Sequence, residues 1–217
     1  MKDFPQIETH FLLASPAGEL EVVATPRKQN VTPFPAVAII CHPHPVFGGT
    51  MTNKVVSTLM RAFSDMGLQT VRFNFRGVGK STGTFAEGVG EIDDLLAVIA
   101  WVKSVSPDDA IWLSGFSFGA AMSAHGATKV PVAQLVSIAP PVPRFNLPTL
   151  PPVTCPWLII QGEEDDVVIP QDVYAWIETR DPKPQLIRVP GTGHYFHGKL
   201  MELRELLVAN LPGIIEK

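Results

Sequence analysis

The sequence predicts an α/β fold on a mostly parallel sheet of about eight strands with helices on both faces. Three observations predict it. Short apolar or β-branched runs alternate with helical patterns along most of the chain. The run AVAIIC (36–41) is apolar throughout, as expected of a strand covered on both faces. Two runs near the start, 7–14 (IETHFLLA) and 19–25 (ELEVVAT), flank a Pro-Ala-Gly turn and read as a hairpin.

The elements follow in order. After the hairpin and the strand at 36–41, residues 53–66 place apolar side chains at 55, 56, 59, 60 and 63, a helical spacing closed by Gly67. TVRFNF (70–75) is a strand, and 91–105 a helix whose acidic first turn suits the positive end of its dipole. AIWLSG (110–115) is a strand and 118–128 a helix of small residues. Strands at 133–139 and 157–162, a helix at 170–179, a strand at 185–190 and a helix at 199–210 complete the pattern. Right-handed crossovers then place the reactive loops at the carboxyl ends of the strands. Residues 140–156 break the rhythm with seven of the 21 prolines, which suit neither helix nor sheet interior. That stretch reads as a stiff surface connection able to overhang a site, and is too short to be a full cap domain.

A chain of 217 residues, 46% hydrophobic and 18% charged, is sized for one domain, taken as 1–217, with a substantial core. The net charge of −4 argues against nucleic acid or an anionic membrane as partner. The start resembles no signal peptide and no run of eighteen apolar residues occurs, so a cytoplasmic location is expected. Cys41 and Cys155 sit in or beside apolar runs and read as free buried thiols.

RGVGKSTG (76–83) has the look of a phosphate cradle. Such a loop needs a glycine five residues before Gly79, and the residue there is Asn74. It must also run straight into a helix, whereas Gly83, Gly88 and Gly90 follow. Both requirements fail.

Chemistry is carried instead by Gly115-Phe116-Ser117-Phe118-Gly119, a Gly-x-Ser-x-Gly motif where an apolar strand ends and a helix begins. A nucleophilic serine must stand clear of the sheet on a tight turn, and the crowding there demands glycine on both sides. Serine needs a base, and the base an orienting acid. EEDDVVIP after one later strand supplies Asp165, with Asp166 as alternative, while Glu163 and Glu164 face water. GTGHYFHGKL after another supplies His194, with His197 as alternative. His194 is preferred because it sits on the loop itself, where it reaches serine. The oxyanion donors are expected to be the amide of Phe118 and one from the loop 42–54. Pro43 and Pro45 have no N–H, so His44 comes first and Val46 second. A rival reading makes His42 and His44 metal ligands, on thin grounds with no Asp or Cys clustered beside them. Phe47, Phe85, Phe145 and Tyr195 are the candidate pocket residues.

In their order, CHPHPVFGGTMTNKVV, VRFNFRGVGKSTGTF, GFSFGA, QGEEDDVVIP and GTGHYFHGKL make the chain resemble an α/β-hydrolase over nearly its whole length. It is most similar to small cap-less bacterial hydrolases, carboxylesterase-like and related to dienelactone hydrolases. The resemblance implies an α/β-hydrolase fold, a triad at Ser117, Asp165 and His194, and RGVGKSTG as a loop supporting the site's floor; no cofactor and no metal are expected. It departs from dienelactone hydrolases in having serine where they have cysteine, so their lactone substrate is not implied. The expected reaction is acyl transfer from a small-molecule, short-chain ester through an acyl-enzyme. Thioester or peptide cleavage by the same trio is the alternative, separated by a matched ester, thioester and amide. A non-catalytic binding protein on the same fold is the other, separated by fluorophosphonate labelling.

Overall fold

The structure, a computed structural model, describes residues 2–212, so the extreme ends of the expected 1–217 unit lie outside the described residues. The expected hairpin is β1 (Thr9–Ser15) and β2 (Gly18–Thr25), followed by β3 (Ala36–Cys41), α1 (Lys54–Asp65) and β4 (Gln69–Phe73). Then come α2 (Val89–Val105), β5 (Ala110–Phe116), α3 (Phe118–Ala127), β6 (Gln134–Ile138), β7 (Trp157–Gly162), α4 (Pro170–Glu178), β8 (Gln185–Val189) and α5 (Leu200–Asn210). One eight-stranded sheet runs in the order β1-β2-β4-β3-β5-β6-β7-β8. β1 and β2, and β2 and β4, pair antiparallel; every other neighbouring pair is parallel.

The apolar strands make sense face by face. Val37, Ile39 and Cys41 of β3 enter one core with α2, α3 and α4, while Ala36, Ala38 and Ile40 enter the opposite core with α1 and α5. β7 divides likewise, Trp157 and Ile159 against Leu158 and Ile160. β1, at the sheet edge, alternates between half-buried and exposed positions, as a strand with one solvated face must. No described helix is long and apolar enough to cross a membrane.

α2 starts two residues before the expected Glu91. The buried Glu91 side chain reaches back to accept from the amides of Ala86 and Gly88, both at 2.9 Å, and closes the first turn.

RGVGKSTG encloses a carboxylate of the protein itself. Glu21 of β2 accepts at 2.9 Å from the Lys80 amide and at 2.8 Å from Asn74 Nδ2. Ser81 Oγ donates to the Asn74 carbonyl at 2.7 Å and accepts from the Glu21 amide at 2.9 Å. A Cβ at Gly79 would stand 2.4 Å from Glu21 Oε2, so the loop closes on that carboxylate only with glycine there. Asn74, the residue that breaks the phosphate pattern, also accepts from the Met51 amide at 2.9 Å and ties this loop to the one carrying His44. Arg76 gives its amide, Nε and Nη2 to the fully buried Asp94 carboxylate of α2. The motif is a brace under the loops at the sheet's carboxyl edge.

The proline-rich stretch 140–156 is more than a surface connection. Val142, Leu147, Leu150 and Val153 are buried in the core, because their segment folds back along α3 and α4. His125 Nε2 donates to the Phe145 carbonyl at 2.7 Å, Trp176 Nε1 to Leu147 at 3.2 Å, and Arg180 Nη1 to Leu150 at 2.8 Å. A single 3-10 turn forms at Leu147–Thr149. Two side-chain donors on α3 and α4, and a third from Arg180 just beyond α4, make this loop a fixed wall.

Candidate active site

Ser117 sits between β5 and α3 with φ 54° and ψ −119°, a conformation that non-glycine residues hold only where packing enforces it. The two flanking glycines explain how. A Cβ at Gly115 would lie 2.2 Å from the Gly119 carbonyl oxygen, and one at Gly119 would lie 2.2 Å from the Cys41 oxygen. Strand, turn and helix are thus pressed together with no room for a methyl group. Gly119→Ala is expected to cost about 2–3 kcal/mol or more, because the colliding atoms are backbone. Thermal unfolding should then fall by roughly 5–10 °C for a chain of this size, and an unchanged midpoint would contradict the close approach.

The acid and base come together as expected. His194 Nδ1 stands 2.8 Å from Asp165 Oδ2, both side chains buried. Asp165 also accepts at Oδ1 from the amides of Val167 and Val168, at 2.9 and 2.7 Å, and at Oδ2 from Gln161 Nε2 at 3.0 Å. Burial opposes ionisation of this carboxyl, but the His194 contact and the two amides outweigh it and hold it below the usual carboxylate value. An ionised Asp165 requires the proton on His194 Nδ1 and leaves Nε2 as acceptor. The Glu164 amide donates to the Thr192 carbonyl at 3.0 Å and joins the acid's loop to the base's loop.

The alternatives are placed elsewhere. Asp166, Glu163 and Glu164 are exposed, and exposed His197 stacks on Tyr195 with ring centroids 5.8 Å apart. His42 is buried with both ring nitrogens engaged: Nδ1 donates to the Pro43 carbonyl at 2.6 Å and Nε2 accepts from the Phe75 amide at 3.0 Å. Burial pushes its pKa down to about 4. That histidine is a neutral brace with no lone pair left for a metal.

Two cavities meet at Ser117. One, of about 360 Å³, is lined by Ser117, His194, Tyr195, Phe47 and the Pro43–Gly49 turn with Asn53. The other, of about 110 Å³, is lined by Ser117, Phe118, Val142, Phe145, Val168 and Arg144, with His44, Phe47 and Val167 shared between the two. Among the described residues Ser117 Oγ makes no hydrogen bond; it opens with His194 onto the larger cavity. A hydroxyl without a fixed partner is free to turn toward Nε2, and such contacts commonly tighten only around substrate.

The amides of Phe118 and His44 make no backbone hydrogen bond among the described residues. Val46, the second candidate, is taken: its amide donates to His44 Nδ1 at 3.2 Å. Of the expected pocket residues, Phe47, Phe145 and Tyr195 line the cavities. Phe85 does not, a correction to the sequence reading. It packs behind His44 at a centroid distance of 4.8 Å and against Phe118 at 5.9 Å, supporting the wall from outside. The sequence reading missed Arg144, Val168, Gln161 and His125. For Val168 a signal existed: an Asp two or three residues ahead of free amides favours a turn in which its carboxylate accepts from them.

A family model described as X-Pro dipeptidyl-peptidase (S15 family) matches residues 20–149. An uncharacterised protein of Rickettsia prowazekii (strain Madrid E) is 32% identical over 81% of this chain and 78% of its own length. An alpha-beta serine hydrolase homologue from Coxiella burnetii is 48% identical at a TM-score of 0.93, covering 97% of this chain and 100% of that one. A member of the a/b serine hydrolases without lid from Xanthomonas campestris is 45% identical at 0.91, covering 94% of each chain. With a strained serine on a glycine-flanked turn, no cap domain among the described residues and close similarity to these α/β serine hydrolases, the chain belongs to the S15 family and has the α/β-hydrolase fold.

Proposed function

We propose that the protein is a carboxylesterase cleaving short-chain esters through Ser117, His194 and Asp165. The observation that carries this reading is the buried Asp165–His194 pair opening onto the cleft that also holds Ser117, next to two unengaged amides. Ser117 Oγ attacks the ester carbonyl while His194 Nε2 takes its proton. The amides of Phe118 and His44 hold the oxyanion, and the N-terminus of α3 adds its dipole. His194 then protonates the leaving alcohol, and water repeats the sequence to release the acid.

The general acid must stand beside the leaving oxygen, so the larger cavity, which His194 lines, receives the alcohol. The smaller one receives the acyl chain. At about 110 Å³ it is well under the roughly 300–1,000 Å³ of an ordinary ligand pocket, which favours short acyl groups. A dipeptidyl acyl group is larger than this and ends in an ammonium, whereas the charged residue at the cavity is the cation Arg144. This size and sign favour an esterase over the X-Pro peptidase after which the family is described. On an acetyl-to-octanoyl ester series with one leaving group, kcat/KM is expected to peak at acetyl to butyryl and fall about tenfold or more by octanoyl. Faster cleavage of octanoyl esters, or of X-Pro anilides than of acetyl esters, would overturn the reading.

A further inference from the structure

We propose that Arg144 makes the small cavity a carboxylate subsite, so that the preferred substrates are hemiesters of short dicarboxylic acids. This rests on the esterase reading above and specifies its acyl group. The unused charge is the first observation. Six of the eight arginines find a carboxylate or carbonyl: Arg27 with Asp109, Arg72 with Glu8, Arg76 with Asp94, Arg180 with Leu150, Arg188 with Glu163 and Arg204 with Asp65. Arg144, by contrast, has no hydrogen-bond or ion-pair partner for its side chain among the described residues, although it lines the cavity at Ser117. Arg61 shares that lack but lies on α1, lining neither of the two cavities that meet at Ser117.

The second observation is placement. Arg144 stands on the segment fixed by His125 and Trp176, between a turn in which its own amide donates to the Pro141 carbonyl and left-handed residues Phe145 and Asn146, with φ 53° and 56°. A backbone held in this way fixes the base of the exposed Arg144 side chain at the rim of the cavity, and the guanidinium reaches from there. The remaining lining is largely apolar, with Phe118, Val142, Phe145 and Val168. Such walls suit a spacer of methylene groups, and the planar guanidinium matches a carboxylate at its end with two parallel hydrogen bonds. His44 lines the same cavity as Arg144, and its pKa is lowered chiefly by burial, with Glu87 opposing and Arg144 adding to the effect. Glu87, which acts on His44 in the opposite sense, makes no ion pair among the described residues. The reaction is the same hydrolysis: the ester C–O bond breaks, water supplies the new C–O bond and the alcohol's proton, and a dicarboxylate leaves.

The test compares ethyl hydrogen succinate with ethyl levulinate, which replaces the terminal carboxylate by a methyl ketone of the same length. Wild type is expected to favour the succinate by about tenfold or more in kcat/KM at low ionic strength, narrowing in concentrated salt. Arg144→Ala should bring the ratio toward one, Arg144→Lys should keep part of it, and Arg144→Glu should invert it. A wild-type ratio of one or less, or a ratio that Arg144→Ala leaves unmoved, overturns the proposal. If wild type cleaves neither ester, fluorophosphonate labelling divides the outcomes. Labelled Ser117 leaves a serine hydrolase and removes the carboxylate subsite, whereas no labelling of folded protein removes the esterase reading and the subsite with it.

Discussion

Ser117→Ala is expected to lower kcat on short-chain esters by roughly 10⁶-fold and to abolish fluorophosphonate labelling, while the protein stays folded. The size of the loss follows from the lack of a substitute. Cys41, the thiol beneath the motif, is fully buried and its pKa is pushed up to about 12, with burial the dominant cause, so it supplies no thiolate. Ser114 is likewise fully buried, and Thr192 is 1% exposed. Without the hydroxyl, the amides of Phe118 and His44 still polarise a bound carbonyl, and a residual rate above water's own is expected from them. Folding should survive because the φ of 54° at this position is imposed by Gly115 and Gly119, which the substitution leaves in place. Rate, labelling and a thermal melt on the same preparation check all three. Hydrolysis retained within about tenfold of wild type would remove Ser117 as nucleophile, and with it the assignment of the two cavities to acyl chain and alcohol.

How much of this was legible in the sequence depended on the range of the interaction. β3 matches its expected limits, 36–41, because an unbroken apolar run has one physical explanation in a chain of this length: helices on both faces. Ser117 was legible because its glycines report a local steric problem that recurs wherever a strand turns sharply into a helix. Asp165 and His194 were singled out by their order along the chain, and the structure pairs them, yet nothing local tells Asp165 from Asp166. That choice is made by the Val167 and Val168 amides and by Gln161, which turn one carboxylate inward. The start of α2 was misplaced because Gly88 and Gly90 look like helix breakers until Glu91 is seen to cap the turn. Phe85 was misassigned, and Arg144 overlooked, for the same reason. Where each stands depends on how its loop folds over the sheet, and the anchors that decide it, such as His125 to Phe145, span twenty residues and leave no periodic trace.

Asp165→Asn is expected to lower kcat by about 10³–10⁴-fold with little change in KM, the second large effect. The carboxylate has four donors pointing at it: two amides at Oδ1, and Gln161 Nε2 and His194 Nδ1 at Oδ2. An asparagine satisfies the amides only with its oxygen at the Oδ1 position, which turns its NH₂ group toward Gln161 and His194. Two donors then face each other at Gln161, and His194 must present a lone pair at Nδ1. The imidazole proton moves to Nε2, the nitrogen that has to accept from Ser117, so the base is held in the wrong tautomer with its position unchanged. The same contacts set a pH dependence of stability. Because the folded carboxyl titrates below its ordinary 3.8, Asp165 stabilises the fold fully above that value and loses the contribution as pH falls through its folded pKa. Asp165→Asn should therefore remove part of the acid-side slope in an unfolding series as well as the activity. A variant that kept kcat within tenfold would mean that some other carboxylate orients His194, and the exposed positions of Glu163, Glu164 and Asp166 offer none without a rearrangement of the loop.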